Sequence, residues 1–171
     1  DHYLTIEGSH FNFNNTNKNT FEEHYLDANM NSLSLDPKLE YQETTGLTQS
    51  NTVQADFALP MKKGSKLEVG WKSIFRESDS DLYYEALNDS SGNFENDITR
   101  SNHFVSEEQI HAAYSTFGMQ REKLGIQLGL RYENALTNSE LITSNETFKN
   151  TYQSFFPSAH LSYSITEKSD L

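Results

Sequence analysis

Six histidines, a pair of neighbouring glutamates and an Asx-rich loop are the groups in this chain best suited by type to do chemistry. The histidines (His2, His10, His24, His103, His111 and His160) show no H-x-x-x-H or related ligand spacing, so no zinc centre is indicated. His111 and His160 lie on the polar sides of their segments and are expected to share one wet face. Glu107 and Glu108 invite comparison with glycosidase carboxylates. Adjacent strand residues point to opposite faces, however, and cannot flank one bond; they read as solvated charge. Asp27-Ala28-Asn29-Met30-Asn31 has the opening of a calcium loop. Its sixth position is Ser32 rather than Gly and its twelfth is Lys38 rather than Glu, so a plain Asx-rich loop is the better reading. The chain has no Cys, which excludes disulfides, thiolate zinc sites and a cysteine nucleophile. No catalytic residue, cofactor or metal ligand is assigned, and an enzyme is not expected.

The composition narrows the partners. Lys and Arg number 13 against 25 Asp and Glu, a net charge of -12. Such a surface repels phosphate, so nucleic acid is not an expected partner. The mean hydropathy of -0.74 and the absence of any run near the roughly 18 apolar residues of a spanning helix argue against helical membrane segments. Yet 11 Phe, 9 Tyr and 1 Trp are too many for a disordered acidic tail.

Charge and turn residues are spaced unevenly. Glu77 to Glu108 carries acidic residues with Arg100 as the only basic one. Basic residues collect at three short turn candidates: Pro60 to Ser65 with Lys62 and Lys63, Gly118 to Lys123 with Arg121, and Thr166 to Ser169 with Lys168. Between them lie long polar stretches, Asn14 to Thr20, Asp27 to Asp36, Asn88 to Asp97 and Asn134 to Asn150, which are read as loops. Short turns therefore alternate with long loops.

The segments beside the short turns alternate apolar and polar residues, the mark of strands with one face in an apolar medium. Leu124, Ile126, Leu128, Leu130 and Tyr132 oppose Gly125, Gln127, Gly129, Arg131 and Glu133. Val53, Ala55, Phe57 and Leu59 form a second row, and Leu67, Val69 and Trp71 a third. Ile110, Ala112 and Tyr114 form a fourth, and Phe155, Pro157, Ala159, Leu161 and Tyr163 a fifth. Leu4 and Ile6 mark a weaker first strand. Pro157 lacks a donor and predicts a bulge or a gap in its ladder. The result is an all-β, antiparallel up-and-down meander of about six strands. The strand from Leu124 to Asn134 matches the about 9–11 residues that cross a bilayer at a tilt. A soluble β-sandwich would set the apolar face against a second sheet, whereas a transmembrane β-barrel sets it against lipid. The charge on the opposite face (Glu68, Lys72, Arg131, Glu133) suits a wet lumen better than a dry core.

Three stretches add a family resemblance. Asn51 to Arg76 (NTVQADFALPMKKGSKLEVGWKSIFR), Glu107 to Ala135 with "HAAY" and "LGLRYE", and Thr151 to Leu171 with "FFPS-x-HLSY" resemble the TonB-dependent receptor-like outer-membrane β-barrel family of Bacteroidota. The resemblance implies that residues 1–171 are part of a barrel domain, without plug or signal peptide, because the family's barrels have roughly 22 strands. It implies a parent protein in the bacterial outer membrane, with its long loops extracellular. Such a parent binds an extracellular nutrient and imports it by plug rearrangement. Its partners would be outer-membrane lipid, the TonB energy-coupling system, a surface lipoprotein and an extracellular small ligand of unknown class. Substrate contacts are expected from the loop between Asp79 and Asn96, with Tyr83, Tyr84 and Phe94 as stacking or packing groups.

Overall fold

Residues with strict alternation, joined by turns too short to let a chain cross over, must pair with their sequence neighbours. The structure, a computed structural model, describes residues 2–33, 36–166 and 169–170 and shows this arrangement. Its elements are β1 (Tyr3–Glu23), β2 (Lys38–Met61), β3 (Ser65–Asn88), β4 (Asn93–Asn96), β5 (Asn102–Arg121), β6 (Leu124–Leu141), β7 (Glu146–Thr166) and β8 (Ser169–Asp170). The six long strands form one antiparallel meander in the order β1-β2-β3-β5-β6-β7, while β4 folds back on β3 and β8 pairs with the end of β7. Glu167 and Lys168, the centre of the third short turn expected from the sequence, lie outside the described residues.

The two described tight turns lie at one end of the sheet. A single 3-10 turn, Lys62–Gly64, joins β2 to β3. Gly64 has φ 72° there, and a side chain at that position would strike the backbone carbonyl of Gln120 at the end of β5, so only glycine lets the turn tuck in. The second turn is tighter than the Gly118 to Lys123 stretch implied. β5 continues to Arg121 and only Glu122 and Lys123 link it to β6, with Glu122 at φ 45°.

At the other end, two stretches read as loops are strands. Asn14 to Thr20 belongs to β1, and most of Asn134 to Asn150 belongs to β6 and β7, leaving Ile142 to Asn145 as the turn. The strands run 18 to 24 residues, so the longest reaches about 80 Å at about 3.4 Å per residue. A bilayer needs about half of that. Past the bilayer both faces meet water. The apolar alternation then stops, but the backbone ladder and the β-tolerant Thr residues carry the strand on.

The register aligns the apolar rows across the sheet. Ile6, Ala55, Trp71, Ala113, Tyr132 and Phe155 are successive cross-strand partners, and so are Leu4, Phe57, Val69, Ser115, Leu130 and Pro157. On β6 and β7 the belt continues to Leu124 and Tyr163, two rows past the level of Leu59. This stepwise drift is what strands tilted to the bilayer normal produce. One strand corrects the reading of its faces. On β5 the register puts Phe117 opposite Leu128 and Met119 opposite Ile126, so Ala113, Ser115, Phe117 and Met119 belong to the apolar face. Ile110, Ala112 and Tyr114 belong to the polar one. The ladder passes Pro157 in unbroken register, so the missing donor leaves a gap and not a bulge.

Hardly any of this sheet is interior. The buried apolar residues are Ala58, Tyr84, Ala112 and Ala135, whereas Leu128, Leu130 and Trp71 are each 51% exposed and Leu161 is 70% exposed. No second sheet covers the apolar rows among the described residues. A sandwich would bury those rows between its layers; here they stand open.

Candidate functional site

The two faces of the sheet do different work at the level of the apolar belt. The apolar face presents a contiguous band that only lipid can satisfy. Its upper border carries the aromatic side chains Trp71, Tyr132 and Phe155 in one row. Just above Trp71, its indole N–H donates to Ser73 Oγ at 2.8 Å, and Ser73 Oγ lies 2.9 Å from His111 Nδ1. Phe75 meets the His111 ring edge-on at 5.6 Å. His111 is therefore on the belt side of the sheet. His160 pairs with Gln127 on the polar face. The two histidines do not share a face, because the true parity of β5 is the reverse of the expected one.

The polar face at belt height is closed by hydrogen bonds among its own side chains. Tyr114, Gly70 and Asp56 are successive partners on β5, β3 and β2. The Tyr114 ring lies across Gly70, where any side chain would collide with it. Its hydroxyl donates to Asp56 Oδ1 at 2.5 Å, and Gln54 Nε2 donates to the other oxygen at 2.7 Å. Arg131 Nε donates to Glu133 Oε1 at 2.6 Å, with its guanidinium 5.6 Å from the Tyr114 ring centre. Here a lone glycine inside a strand marks a close approach by a neighbour. That was the available signal for a clasp the sequence reading did not name. Nearer the tight turns the face opens into a hollow of about 620 Å³ lined in part by Lys66, Gln120, Gln127 and His160.

Beyond the belt, a second cluster pins the segment after β4. Asp97 N–H donates to the Tyr84 carbonyl at 2.9 Å, and Tyr84 N–H donates to Ser101 Oγ at 3.0 Å. The Arg100 guanidinium lies 3.6 Å from the Tyr84 ring centre and bonds Glu40 Oε1 at 2.9 Å. Lys38 Nζ reaches the same oxygen at 2.6 Å. Lys38 foremost, with Tyr84 and Arg100 adding, holds the Glu40 carboxyl down at about 2. Burial, and then the Glu40 charge, push the Tyr84 hydroxyl up; that hydroxyl is enclosed without a well-aligned partner.

The three aromatics expected to meet substrate are not brought together. Tyr84 is packed beneath Arg100 and only 4% exposed. Tyr83, next to it on the strand, points the other way and donates its hydroxyl to Glu85 at 2.7 Å. Phe94 pairs with Leu87 on the same side as Tyr83 and is exposed. The remaining polar motifs are structural. Asp27 Oδ1 accepts the backbone N–H groups of Asn29 and Asn31 at 2.8 Å each, which makes it the cap of an Asx turn. Glu108 pairs with Arg76 at 3.0 Å, while Glu107 faces Glu77 on the opposite side of the sheet.

A lipid-facing belt, an aromatic border and a polar, hydrogen-bonded reverse face define a segment of transmembrane β-barrel wall. The chain belongs to the outer membrane protein beta-barrel family, which it matches over residues 1–171. This places it in the bacterial outer membrane, and a polar face opposite a lipid-facing one is the side a barrel turns to its lumen. Its fold is similar to that of the ferric citrate transporter FecA in the unliganded form, with a TM-score of 0.59 and 15% identity over 97% of this chain and 23% of that one. It is also similar to the siderophore receptor PiuA from Acinetobacter baumannii, with a TM-score of 0.50 and 12% identity over 91% of this chain and 30% of that one. The chain thus spans less than a third of either structure. No curated protein matches its sequence.

Proposed function

We propose that this chain forms part of the wall of a TonB-dependent outer-membrane receptor, which captures a nutrient outside the cell and imports it. The observation that carries the reading is the two-faced sheet, with lipid-facing rows on one side and a polar, charge-paired surface on the other. Its likeness in fold to a ferric citrate transporter and a siderophore receptor supports it. The chain's part is to hold the barrel in the membrane and to present the strand extensions and the β3–β4 hairpin to the medium. Tyr83 and Phe94 are the open aromatics at that hairpin and would meet an incoming ligand, whereas Tyr84 holds the hairpin in shape. Energy would come through the TonB system acting on the parent protein, and a surface lipoprotein would assist capture.

The test is genetic. Deleting the parent gene should abolish growth on one limiting nutrient, and deleting the TonB system should produce the same defect. Uptake that persists without the TonB system would overturn energised import.

A further inference from the structure

The luminal face above the belt carries a pattern that the receptor reading does not use. Phe13, Thr48, Ser78, Ser106, Ser139 and Phe148 are successive cross-strand partners from β1 to β7. Four short hydroxyl side chains thus floor a strip with a phenyl ring at each end. Phe13 and Phe148 are 54% and 56% exposed. Five strand spacings set the rings about 24 Å apart along the sheet. Ser106 and Ser139 share a hydrogen bond of 3.0 Å. Among the described residues, Thr48 and Ser78 spend their hydroxyls on no protein partner.

The charge nearest this strip is already committed. In the row below, Arg76 is bound to Glu108 at 3.0 Å, and further out Lys38 and Arg100 both bind Glu40. No unpaired cation lies in the strip or in the rows beside it, among the described residues, to receive a carboxylate or a ferric chelate; Lys72, which has no ion pair, sits six residues before Ser78 on β3, about 20 Å lower toward the belt. A hydroxyl is donor and acceptor at once and turns its proton to suit. A row of them matches a ligand that is also donor and acceptor at every position. Exposed phenyl rings suit the apolar C–H faces of sugar rings.

We infer that this strip binds a neutral, polyhydroxylated ligand, a saccharide chain lying across the strands between Phe13 and Phe148. The inference rests on the receptor reading and names its substrate class. The test uses the full-length receptor in detergent, probed with an array of neutral glucans, xylans and mannans, with ferric citrate and with a tetra-alanine peptide. Neutral oligosaccharides should bind. F13A/F148A should weaken that binding about tenfold or more, and S106A/S139A should weaken it in the same direction. Thr45→Ala, on the opposite face of β2, should not change it. Far-UV circular dichroism checks that each variant keeps its strands. Binding of ferric citrate or peptide without any neutral glycan would overturn the saccharide assignment and leave the receptor reading standing. Glycan binding that survives both double variants would remove it from this strip. A receptor that takes none of the three classes would sink both readings.

Discussion

Leu128 is the middle of five apolar side chains that β6 turns toward lipid, and Gln127 beside it faces the lumen. Arg in place of Leu128 puts a charge near the bilayer midplane and should cost about 2–4 kcal/mol. Arg in place of Gln127 meets water and should cost about 0.5 kcal/mol or less. Urea unfolding of the full-length barrel in lipid vesicles measures both, and equal costs would contradict a lipid-facing row. Glu40 gives a pH prediction at the same scale. Its folded value of about 2 lies below the ordinary 4.5, so its contribution is complete above pH 4.5 and is lost as pH falls through 2. The Asp97 and Ser101 amides, held at 2.9 Å by the Tyr84 and Asp97 carbonyls, should therefore keep their exchange protection from pH 7 to 5 and lose it toward pH 2. In Glu40→Gln the protection should be lower throughout and no longer follow pH. A variant with the same pH profile as the native protein would show that another group governs the hairpin.

At the scale of the element, β5 is the instructive strand. Ile110, Ala112 and Tyr114 look like the apolar row when the middle of the strand is read alone. Phe117 and Met119, which settle the parity, fall in a stretch whose Gly118 suggests a turn. Tyr114 is also an aromatic with a luminal task, since its hydroxyl must reach Asp56 across Gly70. Spin labels on single cysteines in the full-length receptor in liposomes distinguish the two parities. A label at Phe117 should collide with oxygen dissolved in lipid, and one at Thr116 with a water-soluble nickel chelate. The opposite result would return Ile110 and Tyr114 to the lipid face. β1 and the β6–β7 hairpin were under-read for a different reason. Outside the bilayer both faces of a strand are polar, so Asn, Ser and Thr look the same in a ladder as in a loop.

At the scale of the molecule, the sheet has two ends of different character. One carries the tight turns at Lys62–Gly64 and Glu122–Lys123, and the other the long strand extensions and the β3–β4 hairpin. In outer-membrane barrels short turns lie on the periplasmic side, so the first end is expected to face the periplasm. Protease added to intact cells should cut near Ser91-Gly92 and spare the Lys62–Gly64 turn; the reverse pattern would invert the barrel. The free outer edge of β1 and the short pairing on the far side of β7 leave long rows of unpaired backbone groups. A bilayer does not tolerate such edges, so these strands need further strands beside them.

The sequence by itself determined the class of medium and the order of the strands. Alternation with period two records which side of a strand meets lipid, and turns too short for a crossover admit only neighbour pairing. It was enough for the all-β meander, for the lipid row on β6 and for the resemblance to outer-membrane barrels. The tertiary structure alone decided the parity of β5, the reach of the strands past the membrane and the company each polar residue keeps. Asp56 lies 58 residues from Tyr114, and Glu40 lies 60 from Arg100. Those contacts depend on register across several strands, and a shift of one residue would turn either partner to the opposite face.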